Sequence, residues 1–379
     1  MKTCKKSVLA LSIQASLLAA AMGLSPALLA QESDKDQAAE ETKLERIMVT
    51  AQKRVQSTQE VPISIATLSG EKFDALFAGG EDIQALSGKI PGLYAESSNG
   101  RAAPRFYIRG LGNTDFDLAA SQPVSVIMDD VVMENVILKS FPLFDMEAVE
   151  VIRGPQGTLF GRNTTAGIIK FNTAKPRQDF DAYTKLSVGN LGTMNFEGAA
   201  GGGLSDTLSA RVSVLSQNRD DYIDNSFKKE KDVMGGFDEK AGRVQFLYES
   251  GDIEALLNVH GRKLDGTSSV FRANVFDKGS SGLNGNYDRE TVSYNDGGNN
   301  FQKYDNFGAS LKLDIDLSGG MTFTSITAQE NADGKGKGDI DGGTEAGPGP
   351  SAVGNAVTED QLKDLKQFTQ EVRLASDTS

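Results

Sequence analysis

At 379 residues the chain is long enough for two or more domains. Its 52 acidic residues outnumber 39 basic ones, a net charge of -13, which argues against nucleic acid as a partner. With a single cysteine there is no intrachain disulfide, so burial and hydrogen bonding must hold the fold.

Lys2, Lys5 and Lys6 form a positive n-region. Ser7 to Leu24 is apolar, with Gln14 its one large polar residue, and Pro26 precedes Ala27-Leu28-Leu29-Ala30. This pattern predicts a secretory signal peptide over 1–30, cleaved after Ala30. The apolar run is at the short end for a spanning helix, and a polar segment follows it. Cleavage removes Cys4. It also takes the basic residues from 39 to 36 against 52 acids, a net charge of -16. No later segment is apolar enough for a membrane helix, so a membrane-spanning mature chain must cross as a β-barrel.

Residues 31–55 read as a flexible, charged leader. Within Leu44 to Arg54, Ile47, Val49 and Thr50 favour an extended chain. Such an island suits strand addition to the sheet edge of another protein. It equally suits a first strand of the domain that follows, and the residues leave both readings open.

Residues 56–176 predict a compact α+β domain. Pro62 to Leu68 is a strand and Gly70 to Phe77 a short helix closed by Gly79-Gly80. A second short helix, Glu81 to Leu86, is stopped by Gly88 and Pro91. Short strands follow at Arg105 to Arg109, Val124 to Asp129, Val149 to Arg153 and Ala166 to Thr173. The stretch VEVIRGPQGTLFG, Val149 to Gly161, runs a strand into glycines, as phosphate-binding loops do. It lacks the lysine and hydroxyl of such a loop, and its glycines have the wrong spacing for a dinucleotide site. Gly110, Gly154, Pro155, Gly157 and Gly161 read instead as tight turns in a packed domain.

Residues 177–379 change style. In Ile253 to Lys263, Ala255, Leu257 and Val259 share one face, and Asn258, His260 and Arg262 share the other. Segments of roughly ten residues alternate in this way. They are joined by short turns at Leu204-Ser205-Asp206, Ser250-Gly251-Asp252 and Ser318-Gly319-Gly320, and by long polar loops at Asp265 to Asn300 and Asn331 to Asp360. A soluble β-sandwich has similar strands. The export signal and the short/long asymmetry favour the first part of an antiparallel transmembrane β-barrel, about eight strands of it.

These residues also carry a family resemblance. Glu45 to Arg54 resembles a TonB box, and Val61 to Pro176 resembles the plug domain of TonB-dependent outer-membrane receptors. The matching runs are Phe106-Tyr107-Ile108-Arg109-Gly110, Val126-Ile127-Met128-Asp129-Asp130 and Val149 through Gly167. Phe368-Thr369-Gln370-Glu371-Val372-Arg373-Leu374 resembles a barrel strand of one branch of the family. The resemblance implies a plug inside a barrel of ~22 strands. At ~10 residues per strand, that barrel needs ~220 residues before any loop, so the barrel is expected to be incomplete here and the chain a fragment or truncated product. It further implies energised uptake of a scarce ligand, foremost a ferric siderophore, in the outer membrane of a Gram-negative bacterium. TonB would pair with Ile47, Met48, Val49, Thr50, Ala51 and Gln52 and move the plug. Arg109 and Arg153, with Glu150 beside them, would lock the plug to acids of the barrel wall. A carbohydrate transporter of the same mechanism, or a TonB-binding product that transports nothing, stays open.

No cofactor, metal site or enzyme activity is expected. His260 is the only histidine and reads as lumen-facing. Asp339-Ile340-Asp341-Gly342-Gly343 starts like a calcium loop, but its twelfth position is Pro350 and not glutamate. Asp129-Asp130 reads as a plug turn, with no nucleophile nearby to make it catalytic.

Overall fold

The computed structural model describes residues 48–376, except 51, 55, 274, 296–298 and 344–355. The predicted signal peptide, most of the leader, and Ile47 and Ala51 lie outside the described residues.

Among the described residues nine strands precede the barrel-like region: β1 Met48–Val49, β2 Gln56–Ser57, β3 Ser64–Ser69, β4 Leu93–Glu96, β5 Arg105–Ile108, β6 Val124–Met128, β7 Val131–Met133, β8 Met146–Arg153 and β9 Gly167–Thr173. Helix α1 is Gly70–Phe77, at the predicted bounds. The second predicted helix is a 3-10 turn, Ile83–Leu86, whose Gln84 amide is capped by the Asp82 carboxylate. Strands β4 and β7 were too short to stand out in the sequence.

One five-stranded sheet, in the order β3-β8-β9-β6-β7, forms the centre of this inner domain. The β6–β9 pair is parallel and the others are antiparallel. Alternation along β8 and β9 sends Val149, Val151, Ile169 and Phe171 to one core, where Phe73 of α1 joins them. Ile152 and Ile168 go to a second core with Val49, Val61, Ile127 and Phe160. Burial on both faces explains why these strands read as near-continuous apolar runs. Asp129 and Asp130 form the two-residue turn between β6 and β7, both at positive φ, as a tight hairpin requires.

The glycine-rich stretch after β8 is a turn followed by a single helical turn, α2 Gly157–Phe160, before β9. That helical turn was not expected. Gly110, Gly154 and Gly161 have positive φ, whereas Gly157 does not. Gly167 sits at φ 148, where an added Cβ would lie 2.3 Å from the Ile152 carbonyl oxygen, a backbone atom. Gly167→Ala therefore has to part β8 from β9, and is expected to cost roughly 2 kcal/mol or more. Gly157→Ala meets only Thr164 Oγ1 at 3.7 Å and is the control. Protease resistance of the inner domain should fall in the first variant and hold in the second.

Beyond it lie β10 Asp181–Val188, β11 Met194–Ser205, β12 Leu208–Arg219, β13 Ile223–Asn225, β14 Glu230–Met234, β15 Phe237–Ser250, β16 Ile253–Gly266, β17 Thr291–Val292, β18 Phe301–Leu317, β19 Met321–Asp339 and β20 Val357–Ser376. Eight of these make one sheet in the order β10-β11-β12-β15-β16-β18-β19-β20, every neighbour antiparallel. The turns at Ser250-Gly251-Asp252 and Ser318-Gly319-Gly320 fall where expected. Two loop expectations need correction. β19 runs on to Asp339 and β20 begins at Val357, so much of Asn331 to Asp360 is paired strand. Backbone pairing needs no apolar face, and Lys337 and Glu359 meet across it at 2.7 Å. The connection Asp265 to Asn300 holds β17, which pairs with β13 and packs Val292 and Tyr294 against Ile223 and Met234.

The large sheet has inverted faces. Arg211, Ser213, Gln217, Glu239, Arg243, Gln245, Asn258 and Arg262 are buried on the face toward the inner domain. Val212, Val214, Leu257, Leu311, Phe368, Val372 and Leu374 are exposed on the other. An apolar exterior around a polar interior is the arrangement of a sheet that faces lipid. No helix among the described residues is long and apolar enough to cross a membrane.

Candidate functional site: the inner domain, its wall and the leader strand

The leader is docked. β1 pairs with β2 in a small hairpin, Met48 opposite Ser57 and Val49 opposite Gln56. Val49 is 1% exposed in the second core, while Met48 stays half exposed. The next residue is held by charge. Thr50 donates its amide and its hydroxyl to the Glu150 carboxylate at 3.1–3.3 Å. Asn172 also donates to Glu150, at 2.9 Å. Lys170, paired with Glu150 across β8 and β9, reaches Thr50 Oγ1 at 2.6 Å and Asp130 at 2.7 Å. Lys312 of β18 closes the chain on Asp130 at 2.8 Å. Burial would raise the Asp130 pKa, but Lys170 and Lys312 outweigh it and hold the carboxyl well below the usual range. Gln52 is half buried, and Lys53 pairs with Glu371 of β20 at 2.5 Å.

Two buried ionic clusters join the inner domain to the wall. In the first, Asp145 stands just before β8. Arg211 of β12 grips it with two hydrogen bonds, at 2.6 and 2.8 Å, and Ser213 adds a third at 2.8 Å. Arg243 of β15 donates to the Phe144 and Asp145 carbonyls at 3.0 and 3.1 Å and lies over the Phe144 ring. Burial pushes the Asp145 pKa up, but Arg211, Ser213 and Arg243 pull it below its ordinary value. In the second cluster, Glu239 of β15 is shared by Arg101 of the inner domain and Arg262 of β16, both at 2.7 Å. Arg262 goes on to Ser140 Oγ at 2.7 Å. Bidentate arginine–carboxylate pairs are the strong form of this contact.

The residues expected to form the lock lie elsewhere. Arg109 is exposed at φ 53, and its amide donates to the Gly92 carbonyl at 2.8 Å. Arg153 is half buried and donates to Ser64 Oγ at 2.8 Å. Neither pairs with an acid among the described residues. Glu150 and Arg153 are three apart on one strand and so point to opposite faces. Glu150 holds the leader, and the buried ion pairs to the wall run through Asp145 and Glu239. Sequence reasoning placed Arg262 on the polar face without giving it a partner and did not single out Arg211 or Arg243, although strand alternation puts all three on that face. Asp145 gave no such signal, lying in an irregular segment at φ 51.

His260 stands on the face toward the inner domain. Its Nε2 is 3.1 Å from Glu330 and its ring is edge-on to Phe141. The Asp341 carboxylate accepts the Gly343 and Ala356 amides, and Asp339 accepts that of Gly342. No cluster of three or more His, Cys, Asp or Glu side chains placed to hold a metal occurs among the described residues.

Residues 57–168 match the family model described as the TonB-dependent receptor plug domain. That segment belongs to the plug-domain family of TonB-dependent receptors. A vitamin B12 transporter of Photobacterium profundum is 24% identical over 203 residues, 52% of this chain and 32% of that protein. An iron-regulated outer membrane virulence protein of Vibrio cholerae is 29% identical over 198 residues, 48% of this chain and 29% of that one. Among solved structures, the ferric yersiniabactin uptake receptor of Yersinia pestis superposes with a TM-score of 0.63 at 21% identity, over 73% of this chain and 42% of that one. The chain thus spans about a third of the curated relatives it matches. The inner domain corresponds in fold to the plug of those receptors, and the large sheet to strands of their barrel wall.

Proposed function

We propose that this receptor takes up a ferric siderophore across the outer membrane, driven by TonB. The signal peptide at 1–30 would export it, 31–55 would carry the TonB box, 56–176 the plug and 177–379 the first part of the barrel. The observation that carries the reading is the docked leader. Met48 to Thr50 hangs on the plug by one short hairpin and the Glu150 carboxylate, so a partner that pairs with this strand gains a handle on the plug sheet. Iron is favoured because matched relatives include a ferrioxamine B receptor of Salmonella typhimurium and the iron-regulated Vibrio protein. The vitamin B12 transporter among them keeps an organic nutrient as the second reading.

Deleting Ile47 to Gln52 should abolish energised uptake of radiolabelled ferric siderophore by cells and leave its binding to the cell surface unchanged. Uptake that persists after the deletion would sink the TonB-box assignment.

A further inference from the structure

The outer face of the wall carries a groove of about 630 Å³ at the long-loop end of β15, β16 and β18. Lys240 and Asp238 of β15, Lys263 and Asp265 of β16 and Lys303 of β18 line it. Strand alternation fixes the side. Their neighbours Glu239, Arg262 and Gln302 are buried on the face toward the inner domain, so these five lie on the opposite one. Nearer the short turns that same outer face becomes apolar, with Phe246 on β15, Leu257 on β16 and Phe307 on β18 exposed. The groove therefore sits where a lipid headgroup would meet its chains.

The charges in it are arranged in an unusual way. Lys240 stands directly opposite Lys263, and Asp238 directly opposite Asp265. Like charges in direct opposition destabilise a strand pair, and an anion between the two lysines would remove that cost. Lys240 meets Asp238 at 2.9 Å and Lys303 meets Asp265 at 2.7 Å, but all four side chains are more than half exposed. Ion pairs that exposed are weak and open readily to a competing anion. Lys263 pairs with no acid among the described residues, and its opposite on β18 is Asp305. Asp220 and Asp221 lie on the loop side with Arg219 beside them, and Asp221 accepts the Gly236 amide. Lysines set among carboxylates suit a headgroup that carries phosphate and hydroxyl groups together. The ammonium groups take phosphate oxygens, and the carboxylates accept from sugar hydroxyls.

We propose that this groove seats the headgroup of a phosphorylated glycolipid of the outer leaflet. Its phosphate lies between Lys240, Lys263 and Lys303, its sugar hydroxyls meet Asp238 and Asp265, and its acyl chains follow the apolar strands below. The long connections mark the outer leaflet, since barrels of this kind keep their short turns on the periplasmic side. The site rests on the lipid-facing wall and is independent of the ligand that the receptor carries.

The test is native mass spectrometry of the purified protein in detergent with EDTA, so that no bridging cation contributes. Three lipids are titrated: bis-phosphorylated lipid A, lipid A stripped of its phosphates, and phosphatidylglycerol. Bis-phosphorylated lipid A should bind at least tenfold more tightly than the other two, and more weakly as ammonium acetate rises. Lys240→Gln with Lys263→Gln should weaken it at least tenfold. Lys240→Arg with Lys263→Arg should keep most of it, which separates loss of charge from loss of folding. Phosphatidylglycerol bound as tightly as lipid A would overturn the glycolipid as occupant. Equal binding of the stripped lipid, or binding untouched by the glutamine pair, would overturn the phosphate seat.

Discussion

Asp145→Ala loosens the plug. The substitution leaves the Arg211 and Arg243 side chains, 5% and 3% exposed, facing each other with their shared carboxylate gone. Removing one partner of a buried ion pair costs roughly 3–5 kcal/mol, because the remaining charge stays buried and uncompensated. Here Arg243 loses its nearest carboxylate and Arg211 keeps only Asp181, at 3.1 Å, and the carbonyl contacts of Arg243 to the same segment weaken with them. The expected phenotype is leakage: bacteria carrying the variant admit large antibiotics that the wild-type receptor excludes. Asp145→Ala with Arg211→Leu removes one of the two under-compensated charges and should recover part of the seal, a coupling that a double-mutant cycle measures. A variant as tight as wild type would move the hold of the plug elsewhere, to Glu239 first. The pH response has a defined sign. The folded-state pKa of Asp145 is depressed, so its contribution is complete above the ordinary carboxylate value of about 3.8 and is lost as pH falls through the depressed one.

Strand alternation, turn glycines and the run Val149 to Gly167 made the two-part architecture legible, because each is a local property of the chain. The same alternation placed Asn258, His260 and Arg262 on the face that meets the plug. What the sequence left hidden depends on pairing at a distance. Glu150 stands in a run with the look of a lock, yet its partner is Thr50, one hundred residues away. Asp145 sits in Phe141-Pro142-Leu143-Phe144-Asp145, which has neither strand period nor helix period, and its partners come from β12 and β15. The outer halves of β19 and β20 read as loop since that of β19 is polar on both sides and that of β20 carries only scattered apolar residues, Val357, Leu362 and Leu365. Hydrogen bonds and cross-strand charges extend such strands, and hydropathy does not register either.

A buried lysine supplies the second large effect. Lys139 is 2% exposed inside the plug. It donates to the Val124 carbonyl at 3.1 Å and to Gln122 at 3.4 Å and has no acid within ion-pair distance among the described residues. Burial drives its pKa down from 10.5 to about 8, with Glu134 opposing only weakly. At pH 7 the folded protein therefore carries a desolvated charge that the unfolded chain carries in water, a penalty of about 3 kcal/mol. Between about pH 8 and 10.5 the unfolded state holds more protons than the folded one, so stability rises with pH across that window. Lys139→Met keeps the shape and removes the charge, at the cost of about 1 kcal/mol for carbonyl and amide groups that lose a donor. The variant should be more stable than wild type by about 2 kcal/mol at pH 7. Its advantage should vanish and reverse as pH passes 10, where wild-type Lys139 is neutral and still hydrogen-bonded. Denaturant unfolding of the two proteins at pH 7 and pH 10.5 checks this, and an equal difference at both pH values would show that Lys139 is uncharged, or compensated, already at neutrality.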